Sequence, residues 1–170
     1  MAYLLDTNIL IEAKNRYYGL DFCPAFWDWL VESHQRGVVL SIEKVGDEIK
    51  SGGDTLANWA ASQPASFFAT PDEEVLPALT HVSEWVAGQQ AYDPAAKSNF
   101  LQVADYFLVA HALAHKHTVV THEKVDGSKK RVKIPAACIA LGIKCVTPFE
   151  MLRSEKARFI LAGGDVASAG

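Results

Sequence analysis

The sequence predicts an α/β protein, a three-layer α/β/α sandwich with a central parallel sheet. Two observations favour this class. Short apolar runs typical of buried strands alternate with longer segments whose apolar residues recur at helical spacing. Polar residues follow several of these runs directly, as they do where the strands of an open sheet end. With 170 residues and a 49% hydrophobic content, the chain suits one domain with a substantial core.

The strands are predicted from apolar runs that are too short for helices. They are expected at residues 2–5, 38–40, 66–69, 118–121 and 144–146. The first of them is the run that organises the chain, because it stops at Asp6 and an amphipathic segment begins at once. An acid in that position lies at the carboxyl end of a first strand, where open α/β sheets bind their ligands.

The helices are predicted from amphipathic spacing and from their boundary residues. They are expected at residues 8–16, 24–37, 42–50, around 56–59, and at 71–86, 100–115, 136–141 and 148–153. Either Thr7 or Asn8 is expected to cap the first helix, Ser41 the third, and Asp54 or Thr55 the fourth, because their side-chain oxygens can accept from free first-turn amides.

The remaining segments are polar or rich in small residues. Residues 122–133 carry Asp126-Gly127 at a turn and are expected to form an added hairpin. Residues 1–161 are expected to form the domain, and the Gly, Ala and Ser content of residues 162–170 predicts a flexible tail.

Composition excludes several classes of protein. The net charge of −4 argues against a broad nucleic-acid-binding face, although it permits a local basic patch or a basic partner. No apolar run approaches the roughly 20 residues that a membrane helix needs. The three cysteines are an odd number without a C-x-x-C pair, which argues against a disulfide framework or a zinc knuckle. We therefore expect reduced thiols and a cytoplasmic protein without membrane contact.

Four acids are candidates for a functional site. Asp6 and Glu123 follow the first and fourth predicted strands. At about 100° per residue, Glu48 flanks the apolar stripe of its helix and is expected to be half-buried. Asp105 has apolar residues at helical spacing around it, and an unpaired charge is costly to bury there.

Other interpretations of these acids remain open. Asp105 could be a core acid satisfied by an arginine or by backbone amides, and Glu123 could be a loop acid beside Lys124. If they do converge, three or four carboxylates without histidine or cysteine suit Mg²⁺ or Mn²⁺. Such an ion activates water and neutralises charge on a phosphodiester transition state. An arginine lying between Asp6 and Asp105 would contradict this hypothesis.

The chain resembles the PIN domain family, in particular VapC-type toxins and a PIN-like branch of uncharacterised bacterial proteins. The residues that carry the resemblance are Leu4 to Asn8, Ser41 to Ile49, Ala104 to Ala112, and Val119 to Thr121 with Glu123. Their order and spacing match over roughly residues 2–150, and the stretch from Ile134 to Leu152 resembles the PIN-like branch.

The resemblance implies a Mg²⁺- or Mn²⁺-dependent ribonuclease with the α/β/α fold. VapC-type members are toxins held inactive by a cognate antitoxin, and they commonly form homodimers. By motif, the acids that hold the metal would be Asp6, Glu48 and Asp105, with Glu123 joining them in catalysis. Thr7, Asn8 and Thr121 would orient waters or the acids. The family often has Thr-x-Asp in the last motif, whereas this chain has Thr121-His122-Glu123, whose longer acid could reach the ion through water.

Two further alternatives concern function. The basic run after Thr121 could contact RNA phosphates through Lys124, Lys129, Lys130 and Arg131, or it could be a solvated hairpin. The whole chain could instead be a PIN-like module with weak or lost catalysis that acts through a protein partner. A phosphoacceptor domain fits less well, because it would need a lysine at the end of a later strand, and Lys144 instead precedes its strand. His111 and His115 are spaced as a zinc pair, but no H-E-x-x-H motif accompanies them.

Overall fold

The sheet has five parallel strands in the order β3-β2-β1-β4-β5. The structure is a computed structural model that describes residues 1–161. The strands are β1 (Tyr3–Leu5), β2 (Val39–Ile42), β3 (Phe68–Ala69), β4 (Thr118–Val120) and β5 (Cys145–Val146). All five predicted strands are therefore present, with bounds that differ from the prediction by one or two residues.

Helices flank this sheet and complete the predicted three-layer α/β/α arrangement. They are α1 (Thr7–Glu12), α2 (Pro24–Gln35), α3 (Glu43–Lys50), α4 (Thr55–Ser62), α5 (Val75–Gly88), α6 (Pro94–Phe100), α7 (Ala104–His115), α8 (Ile134–Leu141) and α9 (Pro148–Ser154). A π-helical turn (Ala13–Tyr17) follows α1, and a 3₁₀ turn (Ala65–Phe67) precedes β3. Within the described residues, no helix is long and apolar enough to cross a bilayer.

The central strands carry the core. Leu4, Leu5, Val119 and Val120 on β1 and β4 are fully buried, as continuous apolar strands covered on both faces must be. The α7 helix packs on α5, β2 and β4, and Leu108 on it is 1% exposed. Packing of these strands in the core fixes the positions of the residues that follow them at the edge of the sheet.

Two predicted helix caps are wrong. Asp6, not Thr7 or Asn8, is the residue before α1, and no side chain caps that helix. Ser41 lies within β2, where its hydroxyl donates to the Leu5 carbonyl at 2.6 Å. The hydroxyls of Thr7 and Ser41 are both buried, and each donates to a group of another segment instead of capping its own helix. The predicted Asp54 cap is confirmed, since its carboxylate accepts from the Ala57 amide at 3.0 Å.

The helix predicted over residues 100–115 starts later, at Ala104, because the separate helix α6 ends at Phe100. Residues 101–103 separate α6 from α7, and Val103 has an extended backbone with φ −104° and ψ 167°. Asp105 therefore lies in the first turn of α7 and not in the middle of a helix. Leu101, one of the apolar residues expected at helical spacing around Asp105, lies before this helix, so that part of the prediction is wrong.

The expected hairpin is also absent from residues 122–133, which contain no strand. The segment is irregular, and its Lys129 carbonyl accepts from the Asp93 amide at 3.0 Å. Asp126 and Ser128 make local side-chain to backbone hydrogen bonds instead of ladder pairs. The predicted tail at 162–170 lies outside the described residues.

Candidate functional site

The candidate site lies at the carboxyl edge of the sheet, between β1 and β4. Leu5 of β1 is in register with Val120 of β4, so Asp6 and Thr121 leave the sheet side by side. The chain continues from β1 to β2 on one side and returns to β4 on the other. A crevice opens where strand order reverses in this way, and open α/β sheets bind ligands there.

Asp6 is the most buried acid of the site, with 2% of the residue exposed. Its Oδ2 accepts a hydrogen bond of 2.9 Å from the Thr121 hydroxyl, which in turn accepts from the Glu123 amide at 3.1 Å. Burial raises the pKa of Asp6 to about 7, and repulsion by Asp105 adds to this. The Thr121 hydrogen bond opposes the rise without cancelling it.

Asp105 faces the same space from the first turn of α7. Burial raises the pKa of Asp105 to about 6, and repulsion by Glu123 contributes. Glu48 adds further repulsion, while the guanidinium of Arg131 acts in the opposite direction. The four predicted acids are thus close enough to repel one another, although they come from four separate segments of the chain.

Glu123 is held more firmly than a loop acid would be. Its side chain is 9% exposed. Its Oε1 accepts from Arg131, and its Oε2 accepts at 2.9 Å from the Ile134 amide at the start of α8. Both carboxylate oxygens therefore have protein partners, and Glu123 ties the irregular segment to the site.

Arg131 is the basic group nearest to these acids. Its Nη2 lies 3.7 Å from Asp105 Oδ2, and the same nitrogen donates to Glu123. Its side chain remains 53% exposed. Among the ion pairs of residues 1–161, none joins Arg131 to Asp6. The alternative in which an arginine satisfies Asp105 is thus met in part, although this arginine makes no ion pair with Asp6.

Glu48 differs from the prediction, because it is exposed and not half-buried. The position beside the apolar stripe of α3 leaves its long side chain at the rim of the crevice. Its Oε2 nevertheless accepts a hydrogen bond of 2.7 Å from the Thr7 hydroxyl, which aims the carboxylate at the site. Asn8 is exposed and lines the adjoining groove, while Thr7 and Thr121 are buried.

These acids fit a hard divalent cation in chemistry but not as a preformed cage. Carboxylate and hydroxyl oxygens are the donors that Mg²⁺ and Mn²⁺ prefer. Burial and repulsion between the acids raise the pKa values of Asp6 and Asp105, so a bound cation would favour their ionised forms. Within residues 1–161, no three His, Cys, Asp or Glu side chains are close enough together to hold an ion as they stand. Metal binding would require the carboxylates to move closer together.

Only part of the predicted phosphate-contacting set lies beside the acids. Lys124 and Arg131 line a groove of about 590 Å³ that runs from Glu123 past the end of α1. Lys129 and Lys130 are exposed but do not line it, whereas Lys133 does. The phosphate contacts remain a prediction for all four residues.

Sequence analysis missed three aromatic residues in the same groove. Tyr17 is the last residue of the π-helical turn, His122 follows β4, and Phe149 lies in the first turn of α9. Tyr17 is more than a hundred residues from the other two along the chain, so no local pattern signals that the three rings converge. The one available clue was His122, since it stands between Thr121 and Glu123.

Comparisons with known proteins place the chain in a family. The family described as "Domain of unknown function (DUF4411)" matches residues 3–159. No curated protein matches the chain significantly. A solved structure, VapBC2 from Rickettsia felis bound to a DNA fragment from its promoter, contains a chain with 17% identity and a TM-score of 0.45. That match covers 86% of this chain and 98% of the other.

Proposed function

This chain belongs to the DUF4411 family, and from its acidic crevice we propose that it is a divalent-metal-dependent ribonuclease. The observation that carries the proposal is the pair Asp6 and Asp105, two largely buried carboxylates with raised pKa values facing one space. Buried like charges are costly unless something compensates them. The PIN resemblance of the sequence supports the same function.

The residues divide the work by position. Asp6 and Asp105 would hold the cation, with Glu48 joining them from the rim and Glu123 contributing directly or through water. Thr121 orients Asp6, and Thr7 orients Glu48, each through one hydrogen bond. When bound, Mg²⁺ or Mn²⁺ activates water and stabilises charge that develops on the phosphodiester. Asn8 and Lys124 line the groove where the nucleic acid would lie.

A second candidate is a PIN-like module that has weak or no catalysis and acts by binding a protein. The observation that favours it is Arg131, which already compensates Glu123 and part of the charge of Asp105. If that ion pair persisted in solution, a metal ion would meet fewer available oxygens. The two candidates differ in one measurable property, which is whether the acids bind a divalent cation.

The biological setting of the proposal follows from the VapC-like motifs of the sequence. We propose a toxin that is held inactive by a cognate antitoxin, that forms a homodimer and that acts on cytoplasmic RNA. The under-compensated acids suit a basic partner segment, since a cationic side chain would relieve the same repulsion that a metal ion relieves.

The test is cleavage of mixed single-stranded RNAs by the purified full chain in Mn²⁺. We expect cleavage that disappears with EDTA and in the Asp6→Asn variant, which keeps an acceptor for Thr121 but removes the charge. The matched control is Asp47→Asn, an exposed acid on the same helix as Glu48, and it should cleave like the parent.

Two outcomes would contradict the ribonuclease. Cleavage that persists in Asp6→Asn would show that another nuclease contaminates the sample. Absence of cleavage in every RNA, together with Mn²⁺ affinities that Asp6→Asn does not change, would favour the binding module.

A further inference from the structure

We propose that the aromatic groove beside the acids binds an unpaired nucleobase of single-stranded RNA, next to the phosphodiester that is cleaved. This inference rests on the proposed function for the position of the cleaved bond. The aromatic groove is defined by Tyr17, His122 and Phe149 together with Arg16, Lys124 and Lys133. Its three rings form a shelf at the surface of the protein, unlike an aromatic cluster buried in the core.

The three rings form one continuous surface. Tyr17 and His122 are stacked, with ring centroids 5.5 Å apart and an interplanar angle of 25°. Phe149 meets Tyr17 edge-on at 5.4 Å and lies 5.9 Å from His122. Tyr17 is 43% exposed, so the stack does not end in the core but opens into the groove. A planar base can extend such a stack whatever its sequence, because every base has a π-face.

The backbone presents Tyr17 by a local departure from the α-helix. The turn Ala13–Tyr17 is π-helical, and the Tyr18 amide donates to the Ala13 carbonyl at 2.7 Å. A wider turn of this kind is uncommon and occurs frequently at functional sites. Behind it, Tyr18 stacks on Phe26 at 4.3 Å, which anchors the turn in the core. The turn is thus anchored in the core, while the Tyr17 ring lines the groove.

The shelf is adjacent to the acids along the chain and in space. His122 stands between Thr121, which binds Asp6, and Glu123. A base stacked on Tyr17 and His122 would thus place its own phosphate toward the acidic crevice. The groove of about 590 Å³ is within the range of small-ligand pockets, which is about 300–1,000 Å³.

The charges of the groove favour a polyanion next to the rings. Four cations line it, Arg16, Lys124, Arg131 and Lys133, against the two acids Glu12 and Glu123. Among the residues that the structure describes, Lys124 has no ion-pair partner, and Arg16 pairs only with Glu12 at 3.0 Å. In a protein of net charge −4, the lining of this groove thus carries two more cations than acids.

The experiment measures RNA binding without cleavage. The full chain carrying Asp6→Asn is kept in EDTA and titrated into a fluorescent single-stranded RNA of mixed sequence, and anisotropy gives the affinity. Tyr17→Leu should weaken binding about ten-fold, whereas Tyr17→Phe, which keeps the ring, should bind like the parent. The control is Phe22→Leu, a 67% exposed aromatic outside the groove, which should leave binding unchanged.

Two further arms define the ligand. The same sequence as duplex RNA should bind more weakly, because its bases are already stacked and paired. Single-stranded DNA tests the contribution of the 2′-hydroxyl, and binding equal to that of RNA would place recognition in the base and phosphate alone. Equal affinity for duplex and single strand, or equal losses in Tyr17→Leu and Phe22→Leu, would overturn the inference.

The result also separates this inference from the proposed function. Tyr17-dependent binding in a protein that never cleaves RNA would overturn the ribonuclease and keep the nucleobase site. Metal-dependent cleavage with an unchanged KM in Tyr17→Leu, measured in the otherwise unsubstituted chain, would overturn the nucleobase site and keep the ribonuclease.

Discussion

The two ends of α7 gather ionisable side chains in opposite ways. At its first turn, Asp105 meets three further acids, Asp6, Glu48 and Glu123, and a single arginine, so negative charge is in excess. At its last turn, His115 lies between two acids, with Nε2 3.0 Å from Asp72 and Nδ1 3.5 Å from Glu74. Both acids of the second group are largely exposed, so water as well as His115 can satisfy them.

The difference shows which end needs something from outside. Burial, together with the charge of His115, lowers the pKa of His111 to about 4. His111 is therefore neutral near pH 7 and adds no buried charge. Near the same pH, burial and mutual repulsion oppose the ionisation of Asp6 and Asp105. The histidine end of α7 therefore needs no bound ion, whereas a cation at the acidic end would relieve repulsion between buried carboxylates.

The largest effect is expected on metal-dependent cleavage. Asp105→Asn removes one of the two buried charges and should reduce cleavage in Mn²⁺ by about 100-fold or more, because the ion loses a principal ligand. His115→Gln at the other end of α7 should leave the rate unchanged. Steady-state rates on one RNA test both, and equal losses in the two variants would erase the distinction between the ends.

The next effect concerns stability without metal. Because the folded pKa values of Asp6 and Asp105 lie above the ordinary value, protonation stabilises the fold below about pH 4, and this contribution is lost as pH rises through about 6 to 7. Asp6→Asn should therefore become more stable than the parent between pH 5 and pH 8, by on the order of 2 kcal/mol. Urea unfolding in EDTA measures it, with the exposed Asp28→Asn as control. An advantage that shrinks with rising pH would contradict the assignment.

A smaller effect is expected from Arg131. Its guanidinium competes with a cation for Asp105 and Glu123, so Arg131→Met should bind Mn²⁺ several-fold more tightly and lose about 1 kcal/mol of metal-free stability. Lys133→Met is the matched control, since Lys133 lies in the same segment and pairs with Asp126 at 2.5 Å. Calorimetric titration gives both affinities. Weaker Mn²⁺ binding in Arg131→Met would show that the arginine supports the ion and does not displace it.

The smallest effect is expected from the histidine end itself. His115 is part-exposed and pairs with acids that are more exposed still, so His115→Gln should cost less than about 1 kcal/mol of stability. Its Mn²⁺ affinity should equal that of the parent. A loss of metal binding in this variant would place a cation at the wrong end of α7.

Residues that follow strands were the ones that sequence could predict. Asp6 and Thr121 leave neighbouring parallel strands, and the geometry of a parallel sheet brings such positions together whatever lies between them. The Asp54 cap is equally local, because it depends on one side chain and the amide of Ala57.

Features set by tertiary packing could not be predicted. Nothing in the Leu101-Gln102-Val103 sequence forbids a helix, yet the chain breaks there to start α7 at the sheet edge. The exposure of Glu48 depends on how far α3 extends past the crevice, and the pairing of Arg131 depends on an irregular segment without a periodic pattern.

We propose that Asp6 and Asp105 share one divalent cation. Crystals grown without chelator and soaked in Mn²⁺ test it most directly through the anomalous signal of the ion. The account predicts one peak within metal–oxygen bonding distance of both carboxylates, with the Arg131 guanidinium moved away from Asp105. A map without a peak there, in which Arg131 still contacts Asp105 and Glu123, would contradict it.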